Sequence, residues 1–137
     1  MPADEFKAQI RRLFDEVVNE QQLEVLDELV SPNLIFAPDL PPGPQGVKGV
    51  VTWLHDTFAD LHYTIDDLIA EGEKVAVRLS ARGIQKGEYL GYPGTGKAVT
   101  FAEFMFFRFA DGRIEEWWLV AEQASILQQI GVLPAPK

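Results

Sequence analysis

The chain has no cysteine, only two histidines, and few basic residues: 12 Lys and Arg stand against 21 Asp and Glu, a formal charge of -9 over 137 residues. Each shortage removes a class of function. Without cysteine there is neither a disulfide nor a thiol nucleophile, and His55 and His62 make no dense cluster of metal ligands, so no cofactor and no metal is demanded. The negative balance opposes binding to nucleic acid, where basic side chains must neutralise phosphates. No segment reaches the ~18 apolar residues of a membrane span, and the opening MPADEFKAQIRRLF lacks the basic-then-apolar order of a secretion signal. A cytoplasmic protein that uses neither membrane nor nucleic acid is the expectation.

What is present is a large apolar fraction, 47% of residues, enough for one domain over 1–137 with a real core. Residues Gly91–Ala98, GYPGTGKA, satisfy the spacing G-x-x-x-x-G-K of a phosphate loop. That motif works only where a strand hands over to a helix whose N–H groups cradle phosphate. Here Ala98 replaces the magnesium-binding hydroxyl, and VTFAEFMFFRF, which follows, reads as a strand. The stretch is therefore expected to be a Gly/Pro-rich connection between strands.

After Asp4, apolar residues Phe6, Ile10, Leu13, Phe14 and Val17 recur at helical spacing, and Leu23 to Leu29 continue as a second short helix. A short strand is expected at Leu34 to Phe36, before a proline-dense loop that serves as a candidate cavity rim. Gly46 to Asp60 forms a third helix. From His62 onward four strand-like segments follow in succession, closed by a short helix at Ser125 to Ile130. Helices first and a meander of strands second indicate an α+β domain, its helices packed on a curved, mainly antiparallel sheet.

Asp111-Gly112 fits a two-residue hairpin turn. Regular pairing from that turn sets Phe109 opposite Ile114, Phe107 opposite Glu116, Met105 opposite Trp118, Glu103 opposite Val120 and Phe101 opposite Glu122. One face then carries Glu103, Met105, Trp118 and Glu122, and the other Phe104, Phe106, Trp117 and Leu119. Both faces are largely apolar, which implies that one meets the helices and the other a second copy of the chain. A carboxylate among apolar residues has a raised pKa and suits proton exchange near neutrality. Of Glu103 and Glu122, the latter lies nearer the last helix and is taken as the catalytic group, on a pocket floor beside Trp118.

The run GRIEEWWLVAEQASILQQIG resembles the C-terminal signature of the SnoaL-like polyketide (ester) cyclases, in which a tryptophan is followed four residues later by a carboxylate and then by a Leu-Gln-Gln-Leu-Gly helix. GPQGVKGVV, DLHYTIDDLIAEGEKVAVRLSARG and KGEYLGYPGTGKAVTF fit the same family in order and spacing, so the likeness spans nearly the whole chain. It implies the cone-shaped nuclear transport factor 2-like fold, a sheet wrapped around a pocket closed by three helices. It also implies a cofactor-independent aldol closure of a hydrophobic, polyketide-like carbonyl compound. Counted from Trp118, the counterpart of the family's acid/base Asp is Glu122. Trp118, Gln85, Met105, Glu103 and Asp39 are the candidate substrate-binding residues. The chain departs from the family at Ile84-Gln85, where relatives carry Thr-His, and at Ala37, where they often carry His. Those losses keep open a non-catalytic binding or assembly domain. An epoxide or ester hydrolase would need Glu103 and Glu122 around a water with Arg78 nearby.

Overall fold

The computed structural model describes residues 2–134. Helix α1, Pro2–Arg12, runs directly into a wider π-helical turn, Leu13–Val18. A 3-10 turn at Leu23–Val25 leads into the single-turn helix α2, Leu26–Leu29, and α3 spans Pro44–Thr57. Four strands follow, β1 Phe58–Glu71, β2 Lys74–Gln85, β3 Ala98–Ala110 and β4 Arg113–Ala121, before α4, Gln123–Gln129. The sheet is a fully antiparallel meander in the order β1-β2-β3-β4. This is the α+β arrangement the sequence indicates. The expected strand at Leu34 to Phe36 does not form: between Pro32 and Pro38, Leu34 and Ile35 take no regular structure and Phe36 lies in a bend, while Val30 makes a single bridge, to Ile114.

The helices cover one face of the sheet. On β3 the alternation is strict: Val99, Phe101, Glu103, Met105, Phe107 and Phe109 are buried, and Phe104 and Phe106 face out. Ile10, Leu13, Phe14 and Val17 pack against this inner face, joined by Val47 and Val51 of α3. β3 begins at Ala98 with no helix at Lys97, so the GYPGTGK stretch is a connection leading into a strand, as its surroundings imply.

The hairpin turn is where the sequence places it. Asp111 and Gly112 both have positive φ, 51° and 76°, as a two-residue turn of this kind requires, and Ala110 pairs with Arg113. The register holds as far as Phe109 opposite Ile114 and then breaks: Arg108 pairs with Glu116, which leaves Glu115 as an extra residue. A bulge of one residue transfers every later side chain to the other face. Beyond it Phe107 lies opposite Trp117, Phe106 opposite Trp118, Met105 opposite Leu119 and Glu103 opposite Ala121. Trp117 is consequently inside, 9% exposed, and Trp118 outside, 50% exposed. The expected regular pairing is corrected by this single residue.

Candidate functional site

Between the sheet and the helices lies a cavity of about 300 Å³. Its wall is almost wholly apolar. The sheet contributes Phe101, Met105, Trp117, Leu119 and Ala121; α3 contributes Val47, Val51 and Leu54; Phe14, Val18, Phe36 and Ile126 complete much of the remainder. Three groups that can exchange protons line the same space: Glu103, Tyr63 and Tyr89. Among the described residues no Lys, Arg or His side chain lines it.

Glu103 sits mid-strand on β3, in the inward series of otherwise apolar residues, and is 6% exposed. Its Oε1 accepts a hydrogen bond from the Tyr63 hydroxyl. Burial pushes the carboxyl up to about 7, because the charged form loses its water; the Tyr63 hydrogen bond, which favours the carboxylate, offsets part of that rise. The Tyr63 phenol is raised well above its ordinary value, by burial first and then by the Glu103 charge. Its backbone is held by Asn19, at the end of the π-helical turn. The Tyr63 N–H donates to Asn19 Oδ1 at 2.8 Å, and Asn19 Nδ2 donates to the Tyr63 carbonyl at 2.9 Å. The turn thereby fixes the strand residue that holds the acid. Met105 also lines the cavity, and accepts from the Trp117 indole N–H at 3.3 Å.

The other sequence candidates lie elsewhere. Glu122 is exposed, not on a pocket floor: it follows the last strand residue, and its carboxylate accepts from the Ala102 N–H at 2.7 Å on the outer side of the sheet. Trp118 stands on that outer side as well, its ring 5.8 Å from that of Phe106. The physical reason is the bulge at Glu115, which turns both away from the helices. Four residues after the inward tryptophan, Trp117, the wall carries Ala121. Asp39 is exposed in the proline-rich loop and is not among the lining residues.

Gln85 is fully buried but does not line the cavity. Its carboxamide ties down the loop 86–97. Nε2 donates to the carbonyls of Gly87, Tyr92 and Pro93 at 3.1, 3.3 and 3.3 Å, while Oε1 accepts from the Thr95 N–H and hydroxyl at 3.1 and 2.7 Å. Its binding partner is thus its own chain. Gly94 belongs to the same tight path, since a Cβ there would lie 2.2 Å from the Lys86 carbonyl oxygen.

Sequence reasoning placed Glu103 correctly among apolar residues but passed over the two tyrosines. Tyr63 was findable in principle, since it occupies an inward position on β1. Tyr89 was not, because a loop residue carries no periodicity to mark its face.

Among solved structures, IdmH from Streptomyces antibioticus, described as "a putative polyketide cyclase", is 32% identical, with a TM-score of 0.76 over 96% of this chain and 99% of that one. TsrD from Streptomyces laurentii superposes with a TM-score of 0.85 at 27% identity, over 93% and 98% of the two chains. AclR from Streptomyces galilaeus, described as "a putative hydroxylase", shares the fold at 24% identity and a TM-score of 0.82, over 98% and 85%. No curated protein sequence matches the chain. The architecture is the α+β, nuclear transport factor 2-like fold of these neighbours, a curved antiparallel sheet with its helices on one face. The family model for the SnoaL-like polyketide cyclases matches residues 8–130, and the chain belongs to that family.

Proposed function

We propose that the protein is a cofactor-independent enzyme of cyclase type, acting on a hydrophobic carbonyl compound, and that Glu103 rather than Glu122 exchanges the proton. One observation carries this reading: a lone carboxyl, buried in an apolar cavity and hydrogen-bonded to Tyr63, holds its proton up to about pH 7. A group with its pKa at the working pH is best suited to take a proton and return it. The carboxylate removes a proton from carbon beside a carbonyl; the enolate attacks a second carbonyl in the same molecule; Glu103 gives the proton to the new alkoxide. The fold alone supports no particular reaction.

The test is a pair of substitutions compared on a turned-over substrate, sought among polyketide-like esters and aromatic β-dicarbonyls. Glu103→Gln preserves shape and should lower turnover by ~10²–10⁴-fold, while Glu122→Gln should leave it near wild type. Equal loss in both, or loss only in Glu122→Gln, refutes the assignment.

A second reading, a binding or assembly domain without catalysis, is favoured by Ala121, which offers no carboxylate four residues beyond the inward tryptophan. Aromatic compounds that bind wild type and Glu103→Gln equally, with no turnover in either, would establish it. The hydrolase reading has little support, since Arg78 pairs with Asp66 and Asp67 on the outer face, away from Glu103.

A further inference from the structure

Tyr89 reaches the cavity wall from a loop, yet that loop is one of the most firmly tied parts of the chain. Besides the Gln85 brace, Tyr89 and Tyr92 exchange backbone hydrogen bonds, each 2.9 Å, and Lys86 and Gly87 donate to the Thr57 carbonyl at 2.8 and 3.0 Å. The Tyr89 ring lies against Trp53 and Phe58, with centroid separations of 6.1 and 5.8 Å. The residue is 4% exposed and lines the cavity, and among the described residues its hydroxyl makes no hydrogen bond. The hydroxyl is open to the cavity rather than sealed in the core, since among the described residues the buried side-chain atom without a partner is Gln9 Oε1; it is free to donate to a molecule that enters.

Glu103 presents the complementary vacancy. Its Oε1 accepts from Tyr63, and its Oε2 has no partner among the described residues. One cavity therefore holds an unspent donor and an unspent acceptor, on a rigid loop and on a central strand. The Tyr63 hydroxyl differs, being already engaged.

Resting on the reading of Glu103 as the proton-exchanging group, we infer that Tyr89 is the oxyanion donor of this site, and that its ligands are uncharged ketones bearing an acidic C–H beside the carbonyl. The carbonyl oxygen accepts from Tyr89 while that C–H meets the free oxygen of Glu103. As the C–H bond breaks, its proton forms the O–H of Glu103, and its electron pair becomes the enolate, with the negative charge on the oxygen that Tyr89 holds. The cavity carries one negative charge before and after. Donors fixed in advance at the position where charge develops are the largest contribution to many such reactions. Burial, and secondarily the Glu103 charge, raise the Tyr89 phenol, which keeps it a donor throughout the neutral range. With no cation among the described lining residues, a carboxylate or phosphate ligand would bring a second, uncompensated charge beside Glu103, so the wall favours an uncharged ligand.

The probe is 1-tetralone, a flat neutral bicyclic ketone, incubated with the full chain in deuterium oxide near neutrality. Deuterium uptake at the carbon beside the carbonyl is followed by NMR. Wild type should accelerate uptake, Glu103→Gln should abolish the acceleration, and Tyr89→Phe, which keeps the ring, should lower kcat by ~10²-fold with little change in KM. If Glu103→Gln abolishes uptake and Tyr89→Phe matches wild type, the Tyr89 role is overturned and Glu103 stands. If wild type gives no acceleration, or Glu103→Gln matches it, the reading of Glu103 falls and this inference with it.

Discussion

The buried carboxyl of Glu103 makes a prediction about stability that needs no substrate. In the unfolded chain Glu103 returns to its ordinary value of 4.5, whereas in the native protein it is pushed up to about 7. Below pH 4.5 both states carry the proton, and the native state has its full advantage. As the pH rises toward 7 the unfolded chain releases the proton first, so each step favours unfolding; above 7 both states are ionised and the loss is complete. At 1.36 kcal/mol per pH unit the whole span amounts to about 3 kcal/mol. The pI near 4.6 makes the acid end difficult to work in. Starting at about pH 5.5 leaves about 2 kcal/mol to be seen by about pH 8.

Glu103→Gln removes the titration and keeps an oxygen to accept from Tyr63. Urea unfolding of both proteins across that range should show wild type falling by about 2 kcal/mol relative to the variant. Self-repulsion from the net charge of -9 acts on both and cancels in the difference. The neighbouring titratable groups, Tyr63 and Tyr89, stay protonated over this range, since both are raised. A gap that stays constant with pH would refute the burial argument, and with it the reason for assigning Glu103 as acid and base.

Two further outcomes follow from other parts of the molecule. Ile69, Phe104, Phe106, Trp118 and Val120 are exposed together on the outer sheet face, and at ~25 cal/mol per Å² of apolar area we expect a homodimer there; light scattering at micromolar concentration should give about twice the 15.3 kDa chain mass, with Trp118→Lys returning to one chain, and a wild-type monomer would refute it. Gln85→Ala should destabilise the fold by about 1–3 kcal/mol and speed amide exchange across 86–97; unchanged protection there would show that the loop does not depend on the brace.

The elements most legible in the sequence were those set by local chemistry. Asp111-Gly112 specified its turn, and the odd-numbered series on β3 specified an inner face with Glu103 in it. Leu34 to Phe36 misled because three apolar residues satisfy a strand pattern, although their prolines deny them a pairing partner. Gln85 misled for another reason: a polar residue at a strand end reads as a pocket group, and only the folded path of the next ten or so residues reveals that it is consumed by backbone. The position of Glu122 required knowing that Glu115 is unpaired, which no composition or spacing in β4 announces. The family itself was legible in the order of several short motifs.

That unpaired Glu115 also means that the lining of the pocket is fixed by how β4 is paired as much as by which residues it contains. Pairing Glu115 opposite Arg108 would exchange Trp117 for Trp118 on the inner wall and rotate the strand's last residues by half a turn, whereas deleting it would take out the bulge and leave Trp117 inside. A relative without the extra residue would thus keep the same inner wall. An alignment that places its gap on the wrong side of the two tryptophans would match inner residues of one protein to outer residues of another.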